Sequence, residues 1–329
     1  MKILITGAAG YIGNRLAHIL ADLGNEVHAL ARSDSAIKFL QHPNITIFKG
    51  DILNEESLLI AMKSCTQVYH TAALVGAWVK DTTTFYKVNV EGTRNVLNAA
   101  IQTGIEKMVF TSTCGVIGPS LNEPMNETDP RITGFQLDYE ISKKIGEDLV
   151  LQYAKEGLNA VVVSPSKVYG PGNTSHSLTA NAVIENFLKK RIVFIPSPGT
   201  HMACFAFIDD IVNGHLLAME KGKAGEKYIL GGVNISYWNF FDQIRKTSSR
   251  KGYIIQLSKF FIKSWAVLQQ LSYRLLGIHP RFTVKSVDTV FSNYTFSSEK
   301  AVRELCYQIT PLEEAIKKTI QYLKTRSHE

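Results

Sequence analysis

Cysteine is scarce in this chain and badly spaced for chemistry. Cys65, Cys114, Cys204 and Cys306 form no Cys-x-x-Cys pair, and their separation suits neither a zinc site nor a disulfide framework. Reduced, mostly buried thiols are expected, and no metal. Long uncharged apolar runs are missing too. The most apolar stretch of useful length, 260–278, carries Lys263, Gln269, Gln270 and Arg274, which argues against a membrane span. An amphipathic lid or core helix is the plain reading, and peripheral membrane contact the sharper alternative. There is also no basic stripe. The net charge is +7, yet the cations read as scattered, in short clusters such as Lys189-Lys190-Arg191 and Lys317-Lys318. No nucleic-acid-binding module accompanies them, so nucleic acid is not an expected partner. Internal repeats and low-complexity segments are absent. The sequence enters a strand directly at Met1-Lys2-Ile3-Leu4-Ile5-Thr6 with no signal peptide ahead of it, which predicts a cytoplasmic location.

What is present is an ordinary globular composition, 45% hydrophobic and 20% charged over 329 residues, enough for one large domain or two smaller ones. Strand and helix alternate through the first two-thirds. Apolar runs at 2–6, 26–30, 44–48, 67–70, 107–112 and 159–164 read as strands. Helical patterns fill 11–23, 83–102 and 137–156, closed by Gly24, Gly104 and Gly157. This alternation predicts an α/β fold, a doubly wound parallel sheet with helices on both faces. A strand at 205–208 followed by a helix at 209–220 is expected to return to that sheet. Helices are expected at 178–190, 238–249, 259–276 and 311–325. The division that follows is a dinucleotide-binding domain at 1–168 and 203–233, with a smaller, partly discontinuous substrate lobe at 169–202 and 234–329.

The first strand runs into Thr6-Gly7-Ala8-Ala9-Gly10-Tyr11-Ile12-Gly13. Glycine lets the backbone approach a ligand closely, and the following helix N-terminus attracts a pyrophosphate. Gly7, Gly10, Tyr11, Ile12 and Gly13 are therefore expected at a bound dinucleotide. The end of the second strand distinguishes the cofactors: a carboxylate there binds the adenosine ribose, whereas an arginine accommodates a 2′-phosphate. The chain reads Ala29-Leu30-Ala31-Arg32-Ser33. Arg32, assisted by Ser33 and Lys38, favours NADP(H), with NAD(H) as the alternative. Gly50-Asp51-Ile52 follows the third strand and can bring Asp51 to the adenine; a turn or cap aspartate is the plainer role.

Tyr139 and Lys143 stand four residues apart, neighbours on one helix face. A free phenol holds its proton near pH ~10; a nearby ammonium stabilises the phenolate and eases proton exchange. A third hydroxyl beside the same substrate oxygen would stabilise developing charge. Thr113, after the fifth strand, is the leading candidate, and Ser112 the alternative.

Taken together, Thr6–Gly13, His70-Thr71-Ala72-Ala73, Asn89-Val90-Glu91-Gly92-Thr93, Phe110–Thr113, Tyr139–Lys143 and Val168–Gly172 resemble the extended short-chain dehydrogenase/reductases, the NAD-dependent epimerase/dehydratase superfamily. Phe207-Ile208-Asp209-Asp210-Ile211 and Tyr228-Ile229-Leu230-Gly231-Gly232 are similar to that family's second half. Within the family the chain looks most like the dihydroflavonol-reductase and 3β-hydroxysteroid-dehydrogenase-like branch, and is similar as well to proteins named hopanoid-associated sugar epimerases. The resemblance implies that Tyr139 is the catalytic acid/base, Lys143 its activator and a cofactor contact, and Thr113 the hydroxyl partner. It also implies that Ala72, Ala73 and the segment from Pro165 to Val168 line the nicotinamide, and it implies a homodimer through the helices at 83–102 and 137–156. Thr113 stands where the family more often has serine. Cys114-Gly115 follows, where sugar-nucleotide 4,6-dehydratases have an Asp-Glu pair, which counts against dehydration.

The expected activity is NADPH-dependent reduction of a ketone or aldehyde on an apolar substrate. A nucleotide-sugar epimerase with tightly held NAD(P) is the second reading, and a non-catalytic NADP sensor a distant third. The expected pocket walls are 74–79, His176 and Phe205. Trp78, Tyr86, Phe205 and Phe207 suggest an apolar pocket, although each is also an ordinary core aromatic. Lys189, Lys190, Arg191, Arg245, Arg274 and Arg281 have no assignable role toward a substrate diphosphate.

Overall fold

The computed structural model describes residues 1–33, 37–172, 180–248, 251–277, 280 and 283–326. Period-two side-chain alternation divides the core between two faces. In β1 (Lys2–Thr6), Ile3 and Ile5 enter one apolar cluster and Leu4 the other. β5 (Lys107–Thr111) does the same with Val109 against Met108 and Phe110, and β6 (Ala160–Pro165) with Val161 and Val163 against Ala160 and Val162. A sheet apolar on both faces must be covered on both.

It is a seven-stranded parallel sheet in the order β10-β6-β5-β4-β1-β2-β3, with β2 at Glu26–Ala31, β3 at Ile45–Lys49, β4 at Gln67–His70 and β10 at Lys227–Leu230. On the Leu4 side lie α2 (Glu55–Met62), α4 (Gly92–Gln102) and α5 (Asp138–Lys155). On the Ile3 side lie α1 (Tyr11–Asp22) and α7 (Ile208–Lys221). This is a Rossmann fold. The helix expected across 83–102 is interrupted. It starts as α3 (Thr83–Tyr86), widens into a π-helical turn at Lys87–Glu91 and continues as α4.

One expectation fails. The strand expected at 205–208 is β9 (Met202–Phe207), and it does not return to the central sheet. It pairs in parallel with β7 (Lys167–Tyr169) and antiparallel with β11 (Val233–Ser236). β10 fills the outer place beside β6 instead. The reason is packing: Phe205 stacks on Phe240 of α8 (Tyr237–Ser248) with ring centroids 3.7 Å apart. Phe207 and Tyr169 join the same aromatic group. A two-stranded parallel sheet, β8 (Ile192–Pro196) with β12 (Tyr253–Leu257), had no anticipated counterpart. The remaining helices are α6 (Ala180–Lys190), α9 (Lys259–Leu276), α10 (Val284–Val290), α11 (Glu299–Leu305) and α12 (Leu312–Arg326). Cys65, Cys114 and Cys204 are buried, while Cys306 is exposed; all four are free thiols.

The β1–α1 turn depends on Gly7. Its φ is +71°, and a β-carbon there would stand 2.6 Å from the backbone nitrogen of Ala72. Gly7→Ala is therefore expected to cost about 3 kcal/mol, combining backbone strain with a clash against main chain that cannot move aside. Gly24→Ala is the control: φ is +82° but nothing lies within 4 Å, so only about 1 kcal/mol is expected. Urea unfolding of the two variants measures the difference, and equal losses would show that the Gly7–Ala72 approach is not what demands glycine.

Candidate active site

The C-terminal ends of the parallel strands bring the candidate residues together, as the crevice rule for open α/β sheets anticipates. The turn after β1 leads into α1 through Gly10, whose carbonyl accepts the Asn14 N–H at 2.8 Å. No side chain caps this end. The first-turn N–H groups of Tyr11, Ile12 and Gly13 have no partner within the helix, which is the donor set that holds phosphate. The side chain of Tyr11 does something else. Its phenol donates to the carbonyl of Gly170 at 2.8 Å and accepts from Asn181 at 3.0 Å, and burial keeps it well above the ordinary tyrosine range. It ties the glycine-rich turn to Gly170 and to Asn181 of α6. Gly13 is required by contact, since a β-carbon would meet the Gly7 carbonyl oxygen at 2.3 Å.

Arg32 follows β2, and Asp51 follows β3 one strand over. Their side chains approach at 3.7 Å, with Arg32 68% exposed and Asp51 36%. Asp51 also accepts the N–H of Leu53 at 3.0 Å. The side chain of Ile52 is buried against Gly92, and its carbonyl accepts from Asn95 at 3.0 Å. Pro165 is buried at the end of β6, and Val168 of β7 packs on the core beside Ala206.

Ala72 and Ala73 lie in the loop after β4, and that loop is held from two sides. Asn89, inside the π-helical turn, accepts the Leu74 N–H at 2.8 Å and donates to the Leu74 carbonyl at 3.1 Å and to Ser142 Oγ at 2.9 Å. Ser142 in turn donates to the carbonyl of Tyr139. His70, fully buried, bridges Thr6 at 2.7 Å and Thr93 at 3.0 Å. Because the Thr93 hydroxyl donates to the Asn89 carbonyl, it accepts from His70 Nε2–H, and Nδ1 then accepts from Thr6. Burial, reinforced by Lys143, pushes His70 down to about 3, so it is a neutral strut at neutral pH. His70, Asn89 and Ser142 have no assigned role in the sequence reading. Motif position alone could have flagged the first two; Ser142 carries no signal of its own.

Tyr139 and Lys143 occupy the first turns of α5. Thr113 leaves β5 in extended conformation, its hydroxyl accepting the Gly115 N–H at 3.1 Å, and its side chain lowers the proton affinity of the Tyr139 phenol. Ser112 is committed elsewhere, donating to Glu147 Oε2 at 2.7 Å. The structure thus separates the two hydroxyls that the sequence left open. Arg131 anchors the approach: it donates to Glu140 at 3.0 Å and to the Val116 carbonyl at 3.2 Å, while Glu140 accepts the Gln136 N–H.

Electrostatically the pair is unusual. Burial pushes the Tyr139 phenol up to about 12, an effect partly offset by Thr113. Burial pulls Lys143 down to about 7, with Glu147 opposing. Lys143 is 1% exposed, and its ammonium lies 4.1 Å from the centre of the Phe110 ring. Glu147 is itself buried, 3.5 Å from Lys227. A buried lysine with a lowered pKa, one helical turn from a buried tyrosine at a sheet crevice, is an arrangement suited to acid/base chemistry.

The chain is similar to known proteins over nearly its whole length. Residues 3–231 match the NAD dependent epimerase/dehydratase family. The chain belongs to that family. It is an NAD(P)-dependent enzyme of the extended short-chain dehydrogenase/reductase type. A dihydroflavonol 4-reductase-like protein of Synechocystis sp. is 27% identical to it, covering 98% of this chain and 95% of its own. A 3-beta-hydroxysteroid dehydrogenase of Mycolicibacterium neoaurum is 27% identical, covering 98% and 91%. The crystal structure of gox2253 is 30% identical, covers 98% of both chains and superposes with a TM-score of 0.82.

Of the expected substrate walls, Phe205 is buried in the core. Trp78, in the 74–79 loop, meets Tyr273 of α9 edge-on, with centroids 4.7 Å apart. Tyr86 donates to Asp138 at 3.0 Å. His176 and Arg281 fall outside the described residues. No described helix is long and apolar enough to cross a membrane.

Proposed function

We propose that this family member is an NADPH-dependent carbonyl reductase acting on an apolar ketone or aldehyde. The observation that carries the reading is a buried Tyr139 whose proton affinity the Thr113 side chain lowers, with buried Lys143 one turn further along the same helix. A bound nicotinamide dinucleotide supplies the hydride. The chain's own residues do the rest. Tyr139, protonated throughout the neutral range, donates its proton to the carbonyl oxygen. Thr113 stands beside that oxygen and stabilises the charge that develops on it. Lys143, when protonated, lowers the cost of the phenolate left on Tyr139. The N–H groups of Tyr11, Ile12 and Gly13, free of partners within the helix, hold the pyrophosphate in this reading. Relatives named for a steroid and a dihydroflavonol support an apolar substrate.

The preference for NADPH rests on Arg32. Its pairing with Asp51 is long and exposed, worth less than about 1 kcal/mol, so the guanidinium is free to turn toward a phosphate, where a forked contact is stronger. Arg32→Ala is expected to weaken NADPH binding about 30-fold and NADH binding less than about threefold. Calorimetry with both cofactors measures this. Tighter binding of NADH by the unaltered chain, or an equal effect on both cofactors, would rule the preference out. Conversion of a nucleotide sugar without net NADPH consumption would instead favour the epimerase reading.

A further inference from the structure

The positive charge of this chain is concentrated, contrary to the scattered distribution expected from the length of its basic runs. Between Asp242 and Asp288 there is no Asp or Glu, while nine Lys or Arg occur. With its two flanking aspartates this segment carries +7, the whole net charge, and the remainder holds 27 basic and 27 acidic residues. The two aspartates are also heavily shared. Arg245 and Lys246 both pair with Asp242, and Lys259 and Lys263 both pair with Asp288.

The same segment contains α9. One side of this helix faces the protein: Ala266 is fully buried, and Tyr273 touches Trp78. The other side is apolar and open. Phe261, Trp265, Leu268, Leu271 and Leu275 recur at three- and four-residue intervals, a single helical stripe, and all five are exposed, as is Phe260 at 82%. α9 itself contains no carboxylate and has Lys259, Lys263 and Arg274. β12 feeds into it through Ser258, the helix N-cap. The β8–β12 pair adds Phe194 and Tyr253, likewise exposed. Soluble surfaces rarely leave contiguous apolar side chains of this size uncovered.

We infer that this face docks on an anionic lipid bilayer, with the apolar stripe of α9 lying in the interface and the positive charge of its segment supplying the attraction to the headgroups. An aromatic, apolar helix face within a carboxylate-free basic segment is the physical requirement for interfacial binding. A second copy of the chain fits worse, because a twofold contact would set one +7 segment against another. Nucleic acid would leave the apolar stripe uncovered. Through the Trp78–Tyr273 contact, α9 adjoins the loop that follows the nicotinamide-side segment at Ala72 and Ala73. A lipid-dissolved molecule would thus reach the catalytic edge from the docked side. The docking stands on surface chemistry and does not depend on the carbonyl-reductase reading.

The test is co-sedimentation of the full chain with vesicles of phosphatidylcholine alone, or with about one-third phosphatidylglycerol. Partition onto the anionic vesicles is expected to be at least about tenfold stronger and to fall as salt is raised. The variant Phe261→Gln, Trp265→Gln, Leu268→Gln alters only exposed side chains. It is expected to keep its circular dichroism and thermal unfolding while losing at least about tenfold in partition. Absence of binding, equal binding to neutral vesicles, or unchanged binding by the triple variant would overturn the proposal. So would concentration-dependent dimerisation that the triple variant abolishes, which would assign the face to a second copy.

Discussion

Replacing Tyr139 by phenylalanine is expected to lower kcat for carbonyl reduction about 1000-fold while leaving NADPH affinity within about twofold. In the proposed reaction the phenol, whose proton affinity Thr113 lowers, is the proton donor, and its loss leaves only Thr113, whose alcohol is a far weaker acid. The ring is retained, so its packing near Phe85, with centroids 6.3 Å apart, survives and the fold should not change. Single-turnover measurement at saturating NADPH isolates the chemical step. A variant that keeps more than about a tenth of the rate would falsify the acid assignment, whatever its cofactor affinity.

Replacing Lys143 by methionine should separate function from stability. The lysine is 1% exposed and burial holds it near 7, against an ordinary value of about 10.4 in the unfolded chain. The unfolded state therefore binds more protons between those two values, and stability rises with pH across that window. Below about 7 the full penalty of a buried ammonium is present, on the order of 4 kcal/mol. Methionine removes it and fills a similar volume. Glu147 remains satisfied by Ser112 and Lys227, so no carboxylate is stranded. Lys143→Met is expected to stabilise the fold by about 2 kcal/mol near pH 6.5, once the lost Phe110 contact is offset. The gain should shrink toward pH 10. Reduction should fall by at least about 100-fold, because the phenolate loses its counter-charge. Urea unfolding at two pH values, paired with turnover, checks both limbs. A destabilised variant, or a gain independent of pH, would mean that Lys143 does not carry a strained charge.

These effects show how unevenly the site can be read from the chain. Gly7, Gly10 and Gly13 are legible because a turn into a helix is local, and Tyr139 and Lys143 because a four-residue spacing is a helix face. The choice between Ser112 and Thr113 is not local. It is made by Glu147, on a helix 35 residues away in sequence, which takes the Ser112 hydroxyl and leaves Thr113 for Tyr139. Asn89 is visible only as part of a motif; its work depends on a π-helical turn that no periodicity announces. β9 reads as a strand bound for the central sheet, and strand character is all that the alternation conveys. Its partner was decided by aromatic stacking on α8.

The sequence alone determined the alternating strands and helices, the anion-binding turn and the tyrosine–lysine pair, since each depends on neighbours within a few residues. It also held the acid-free stretch between Asp242 and Asp288, legible as an absence rather than as a run of cations. Tertiary structure decided which hydroxyl faces the phenol, how deeply the lysine is buried and which side of α9 stays open. Desolvation, and with it the displacement of Tyr139 and Lys143 from their ordinary proton affinities, is produced by side chains from distant segments packing around them, and no local pattern encodes it.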